Sequence, residues 1–442
     1  MDASAPKDPA SSTGSLREPF RKLGWRFWIT FLIACAIAEG GEFLLDKLRE
    51  PGRDYSGFAD SVITATGLYQ RIVSAPRNPL VHFTVVVEIN PNQDLPAVSA
   101  SNVCPERAFL AELLTKIDSF SPAEIVIDKY FGRDSCSADD PGTVALRQTI
   151  ATIRQHEPVL VGLRARDVEA GVRHGSVIDP SLEFDQANPG AQTAIVNIAY
   201  DNRTLPLQWQ LYESPESLSA GKSIVLDTVS LAAAKLYDPH LLRKNPRLQQ
   251  LIDSGAQPFI GFLDIGKFAF AHYYAGQVLC GASVPDQLDW RTCDRHKGTS
   301  PAADLRGKIF LIGETDSDRD QHYSVVGRVA GFYLQANYVE ALLDDRVYTS
   351  AGDIVNYGFA FAFLVALELI LVIFEHNPVR AVAMIGGLIL AGAGLLYLII
   401  LHLKVYIDPF PVGITAVLIK ILHLVYSYVR REPPPAAQLT HQ

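Results

Sequence analysis

Residues 83–90 read FTVVVEIN, and residues 123–131 read AEIVIDKYF. Both are short runs rich in β-branched residues, the pattern of buried strands. Between them, CPERAFLAELLTKIDSF (104–120) puts Phe109, Leu110, Leu113, Leu114 and Ile117 on one helical face, and Pro105 suits a first turn. ADDPGTVALRQTIATIRQ (138–155) opens with Asp140 as a cap and Pro141 behind it. Leu146, Ile150 and Ile153 then share a face, and PVLVGL (158–163) is a third strand. Strand–helix–strand–helix–strand implies a parallel sheet with right-handed crossovers.

Further along, Arg164–Thr193 is polar and reads as a long loop. AIVNIAY (194–200) and LPLQWQLYE (205–213) read as strands, and KSIVLDTVSLAAAKLY (222–237) as an amphipathic helix. Pro239–Pro258 and Gly281–Asp304 read as irregular. KIFLIGET (308–315) is another buried strand and GFYLQANYVEALL (331–343) a closing helix. No internal repeat is visible.

Outside this α/β region lie four apolar stretches, 25–45, 354–374, 381–401 and 410–429. A membrane span needs about 20 mostly apolar residues. The first is the weakest; a cleaved signal peptide is its rival, but no clear cleavage site precedes Glu39–Asp46, and a signal anchor is favoured. Arg17, Arg21, Lys22 and Arg26 leading into it, Arg380 in a turn and Arg430–Arg431 at the end all fall on one side if four helices cross, with only Lys404 on the other. The positive-inside rule makes that side the cytoplasm. The expected organisation is therefore a cytoplasmic tail (1–24), an anchor (25–45), an extracytoplasmic domain (46–350), three further helices and a cytoplasmic stub (430–442). In a bacterial cell this is a multi-pass protein of the plasma (inner) membrane with a periplasmic domain. The expected fold class is an α/β extracytoplasmic domain, its sheet mainly parallel and flanked by helices, plus four transmembrane helices, one before and three after. The hydrophobic share of 48% averages these two parts. A net charge of −9 argues against a nucleic-acid partner.

Five cysteines are present. Cys35 lies in the first apolar stretch. Cys104, Cys136, Cys280 and Cys293 fall in the exported domain, where an even number suggests two disulfides. Cys104 and Cys136 both sit where the carboxyl edge of a parallel sheet would be, and Cys280 and Cys293 bracket a short loop. That favours Cys104–Cys136 and Cys280–Cys293, with free buried cysteines or zinc ligation as alternatives.

Several segments carry a family likeness: VVVEIN, AEIVIDKYFG with Asp128, AIVNIAYDNRTLPLQ, and above all the block from Leu305 to Tyr348. In order and topology the chain resembles the CHASE family, type two, an extracellular sensory domain associated with cyclases and histidine kinases. The resemblance implies a sensor. The likeness departs at Gly313-Glu314-Thr315, where the family often reads Gly-Ala-Thr. It departs again after the last helix, where family members usually continue into an output domain, so the output is expected in a separate partner protein.

Glu88, Asp128 and Glu314 each end an expected strand. Ligands of open α/β sheets bind beyond the carboxyl ends of strands, so these three could hold a cation or cationic ligand. Their bland reading is loop or helix capping. Asp201, Arg203 and Trp209 lie around the NRTLPLQW turn, where an Asp–Arg ion pair fixing the turn competes with ligand contact. Asp316, Asp318 and Asp320 alternate as in calcium loops, but Gln321 and Gly327 break that pattern, and a solvated loop is the better account. Glu368 and Lys420 lie within apolar stretches, where charges tend to pair. Gly386, Gly387, Ala391 and Gly392 give a small-residue face that suits close helix packing or a homodimer. Walker, dinucleotide-binding, nucleophile-elbow and zinc-protease motifs are all missing, so neither an enzyme nor a cofactor is expected. The leading expectation is a membrane-anchored sensor that relays a signal through its helices. A structural or assembly subunit of an envelope complex, without a ligand, is the alternative.

Overall fold

The computed structural model describes residues 82–90, 104–132, 136–170, 173–179, 192–198, 204–260, 271–280, 305–315, 321–324, 327–374 and 377–407. In chain order the first elements are β1 (Thr84–Ile89), α1 (Cys104–Asp118), β2 (Glu124–Tyr130), α2 (Pro141–Ile153), β3 (Val159–Leu163), β4 (Ala165–Ala170), β5 (Arg173–Ile178) and β6 (Thr193–Ile195). Then come β7 (Gln208–Tyr212), α3 (Pro215–Ala220), β8 (Ser223–Asp227), α4 (Val229–Tyr237), α5 (Leu241–Lys244), α6 (Pro246–Asp253) and β9 (Phe259–Ile260). The last are β10 (Ala271–Tyr274), α7 (Ala275–Cys280), β11 (Ile309–Glu314), β12 (Gln321–Ser324), β13 (Gly327–Ala330), α8 (Gly331–Leu343), β14 (Val347–Ser350), α9 (Asp353–Ile373), α10 (Pro378–Leu403) and β15 (Val405–Tyr406).

The chain divides into two compact units, residues 56–349 and the remainder. The core of the larger unit is a six-stranded sheet in the order β10-β1-β11-β2-β3-β6. Every pairing in it is parallel. Strand alternation sends Val85, Val87, Ile125, Ile127, Phe310 and Ile312 to one face, where α1, α2 and α7 cover them. Val86, Val126, Leu160, Ile309 and Leu311 face the other way, onto α4 and α8. Burial on both faces explains why these strands are continuous apolar runs.

Helix α2 begins as its sequence implies: Asp140 accepts from the backbone N–H groups of Gly142 and Thr143 at 2.9 and 3.2 Å, with Pro141 in the first turn. Helix α8 is buried from Gly331 to Leu342, between the main sheet and a second cluster built from α4, α5, α6, β9 and β14. Its polar residues are therefore bonded inside. Gln335 donates to Val196 O at 3.0 Å, and Glu340 Oε1 accepts from Phe83 N, Thr84 N and Thr84 Oγ1, each at 2.7 Å.

Three expectations need correction. The 164–193 stretch contains the antiparallel hairpin β4–β5, which joins β7 and β8 in a separate four-stranded sheet. Its strand signal is weak because only the base of the hairpin is buried, at Ala165, Val177 and Ile178, whereas Arg166, Asp167, Glu169 and His174 are exposed. Residues 222–237 are a strand followed by a helix: Thr228 divides them, its Oγ1 accepting from Leu231 N at 3.4 Å. Residues 239–258 contain α5 and α6, the latter capped by Asn245, whose side chain accepts from Leu248 N at 3.1 Å.

In the other unit, α9 and α10 form an antiparallel hairpin. Ala351 N donates to Tyr406 O at 3.0 Å, so the start of α9 and the end of α10 meet. Ile354–Ile373 and Val379–Ile400 are each long and apolar enough to cross a membrane. Ile354, Val379, Val382 and Leu390 present apolar side chains at 70–89% exposure, a surface that water would not favour. The other two expected spans, 25–45 and 410–429, lie outside the described residues.

Candidate functional site at the carboxyl edge of the sheet

Parallel pairing brings the ends of β10, β1, β11 and β2 to one edge. Glu88 stands opposite Gly313 on one side and Tyr274 on the other, and Ile89 stands opposite Glu314. Glu88 follows Val86 on the face toward α8, and His272, opposite Val86, shares that face. Tyr333, in the first turn of α8, meets both. Its hydroxyl donates to Glu88 Oε2 at 2.7 Å and lies 2.8 Å from His272 Nε2. His272 Nε2 is 2.9 Å from the same Glu88 oxygen. Thr315 Oγ1 donates to the other oxygen, Oε1, at 2.9 Å.

The tyrosine brings one proton to this triangle, and it goes to Glu88. The His272–Glu88 contact needs its own proton, which assigns N–H to His272 Nε2. Burial pushes the Glu88 carboxyl up, but bonds from His272, Tyr333 and Thr315 and the charge of His272 outweigh it and hold the group below its ordinary range. Burial raises the Tyr333 phenol far above its ordinary value, and the bond to Glu88 and its charge add to that. The arrangement is thus an anionic carboxylate held by three donors. Oε1 takes only Thr315 among the hydrogen bonds described and has acceptor capacity left.

Beside it, Lys129 pairs with both Glu106, from the first turn of α1, and Glu314. A β-bulge aims the lysine there. Ile127 pairs with Val161 and Tyr130 with Gly162, leaving Asp128 and Lys129 unmatched on β2. Gly162 makes room for the bulge: a Cβ at that position would lie 2.9 Å from Lys129 O and 2.4 Å from Val196 Cγ1. Arg107, 3% exposed, ties the rim together by donating to Thr143 Oγ1 at 2.8 Å and Gly132 O at 3.1 Å.

Glu88, Asp128 and Glu314 therefore share one edge, as their strand-end positions imply. Glu88 is bonded to His272, Tyr333 and Thr315, and Glu314 is paired with Lys129. Asp201, Arg203, Asp316, Asp318, Asp320 and Lys420 lie outside the described residues. Glu368 is half-buried on α9. Cys136 is 6% exposed and disulfide-bonded. The side chains of Cys104 and Cys280 and all of Cys293 are outside the described residues. His272, Tyr333, Thr315, Lys129 and Glu106 entered none of the expectations. Lys129 adjoins Asp128 in a strand already recognised, and the run AHYY (271–274) carries an aromatic strand signal. Tyr333 in a buried helix gives no such sign.

A parallel α/β domain with a bonded polar cluster at its carboxyl edge, followed in sequence by an apolar helical hairpin, has the build of a membrane-associated binding domain. The chain belongs to the CHASE2 domain family, whose match spans residues 56–373. CHASE2 is an extracellular sensory domain. No curated protein and no solved structure matches the chain.

Proposed function

We propose that the protein is a membrane-anchored extracytoplasmic sensor that binds a cationic or hydrogen-bond-donating ligand at Glu88 and relays the event through its membrane helices to a separate partner protein. The observation that carries this reading is the buried Glu88–His272–Tyr333 triangle, a charged group held at the edge where open α/β sheets take ligands. At this edge Glu88, Asp128, Glu106 and Glu314 outnumber Lys129, paired with Glu106 and Glu314, and the rim's Arg107, a surplus of acid that favours positive over negative ligands. Connectivity supports the relay, because only α8 and β14 lie in sequence between Tyr333 and the start of α9. A ligand that competes with Thr315 or moves Tyr333 acts on the amino end of α8. It drives a change only as far as its affinity differs between the two arrangements. On this reading the chain is a receptor and not a catalyst, all four apolar stretches cross the membrane, and Cys104 is the disulfide partner of Cys136.

The test is a thermal-shift screen of amines, amino acids and metal cations on the full chain in detergent. A stabilising ligand whose effect disappears in Glu88→Gln supports the reading. Stabilisation that survives Glu88→Gln and Tyr333→Phe moves the site elsewhere. Cross-linking in cells identifies the partner, and peptide mapping without reduction tests the Cys104–Cys136 bridge.

A further inference from the structure

At the opposite, amino edge of the sheet, Asp118 ends α1, and His156 and Glu157 follow α2 just before β3. Asp118 Oδ1 lies 2.9 Å from His156 Nε2. With a carboxylate oxygen of Glu157, these ligand atoms all fall within 4.8 Å of one another. We infer that Asp118, His156 and Glu157 form a divalent metal site of the zinc type, independent of the carboxyl-edge cluster.

A short backbone framework fixes the positions. Ser121 N donates to Asp118 O at 3.0 Å, and His156 N and Glu157 N both donate to Ile153 O, at 3.0 and 2.9 Å. Ile117 and Ile153, at 0% and 2% exposure, root the ends of both helices in the core. Glu157 then shows what is missing. Its Oε2 is buried and accepts no hydrogen bond. The Asp118 carboxylate that faces it brings a second negative charge and no donor. The neighbouring guanidinium of Arg154 is directed at the carbonyls of Val159 and Gln192. Two carboxylates and one imidazole thus converge with an orphaned buried oxygen among them. A dication would satisfy that oxygen and cancel the repulsion.

The donor set selects the metal. Calcium and magnesium favour all-oxygen shells, whereas imidazole with carboxylates suits zinc and its first-row neighbours. Bonds of about 2.0–2.2 Å put tetrahedral ligands roughly 3.4 Å apart. The His156–Asp118 contact must open slightly and the wider separations close slightly to reach this. The His156 side chain is 51% exposed, so a fourth position is open to water.

The experiment strips the full chain in detergent with chelator and titrates it with Zn²⁺ against a chromophoric competitor. Bound metal is then counted by mass spectrometry, and Co²⁺ serves as a spectroscopic probe. The expected result is one equivalent per chain that weakens at least about tenfold in both His156→Ala and Glu157→Gln, with loss of the cobalt visible band. Glu157→Gln keeps the shape and removes a repelled charge, so it folds whether or not metal binds. Equal zinc affinity and cobalt spectra in the native chain and both variants overturn the proposal, as does the absence of any bound equivalent. His156 and Glu157 stand at the edge opposite Glu88, and loss of zinc in their variants leaves the Glu88→Gln test of the sensor reading untouched, so failure here says nothing against it.

Discussion

Glu124 and Glu88 show how one residue type takes opposite electrostatic roles within a sheet. Glu124, at the start of β2, is 0% exposed, and neither carboxyl oxygen has a hydrogen-bond partner. Burial alone pushes its carboxyl well above the ordinary range. The folded chain therefore holds a proton there that the unfolded chain has released, and stability falls as pH rises above the ordinary carboxylate pKa. Glu88 has the reverse sign: its depressed carboxyl contributes stability above the ordinary range and loses it as pH falls. Glu124→Gln should raise the melting temperature near pH 8 by roughly 2–4 °C, about 1 kcal/mol for a domain of this size. The gain should shrink toward pH 5. Melting curves across that range check it, and a gain independent of pH would show that Glu124 binds its proton equally in the folded and unfolded chains, so that burial does not raise its carboxyl.

At the scale of elements, the helix α8 depends on a glycine in the strand beneath it. A Cβ on Gly313 would stand 2.2 Å from Phe332 Cγ, so the ring occupies the space a side chain would need. Gly313→Ala should cost about 1–3 kcal/mol by overpacking and push the first turn of α8, with Tyr333, away from Glu88. Adding Phe332→Leu should recover part of that loss, and a denaturation cycle on the four variants measures the coupling. Strictly additive costs would mean that the ring and the glycine do not compete.

The same elements show where sequence was legible. VVVEI, EIVID and IFLIG declare themselves as strands because β-branched and aromatic runs suit a doubly buried sheet. The strand ends then placed Glu88, Asp128 and Glu314 at one edge. Residues 222–237 misled because Ile224 and Leu226 continue the apolar spacing of α4 across the Thr228 cap. His272 was out of reach for a different reason: it meets Glu88 across a sequence separation of 184. Only the insertion of β11 beside β1, with β10 on its far side, brings the two together, and no local pattern encodes strand order.

At the scale of the whole molecule, α9 and α10 supply an apolar hairpin, and the sensor reading requires the membrane part to transmit as well as anchor. Glu368 sits in α9, within a segment otherwise free of charge from Ile354 to Ile373. The 410–429 stretch carries Lys420. If both segments run from outside to inside, a rise of about 1.5 Å per residue sets Glu368 roughly 21 Å and Lys420 roughly 15 Å below their outer ends. A lysine stem spans several ångström, enough to bridge that difference. Unpaired, each charge costs about 2.5–3.5 kcal/mol at a membrane centre. Glu368→Lys and Lys420→Glu should therefore each lower the amount of protein in membranes, because each puts like charges at the two depths. The double swap should restore it, since it exchanges the charges and keeps their attraction. Membrane fractions quantified by immunoblot read the outcome. Recovery only in the double variant supports the pair, whereas a double variant as poor as the worse single one means that the two charges have separate partners.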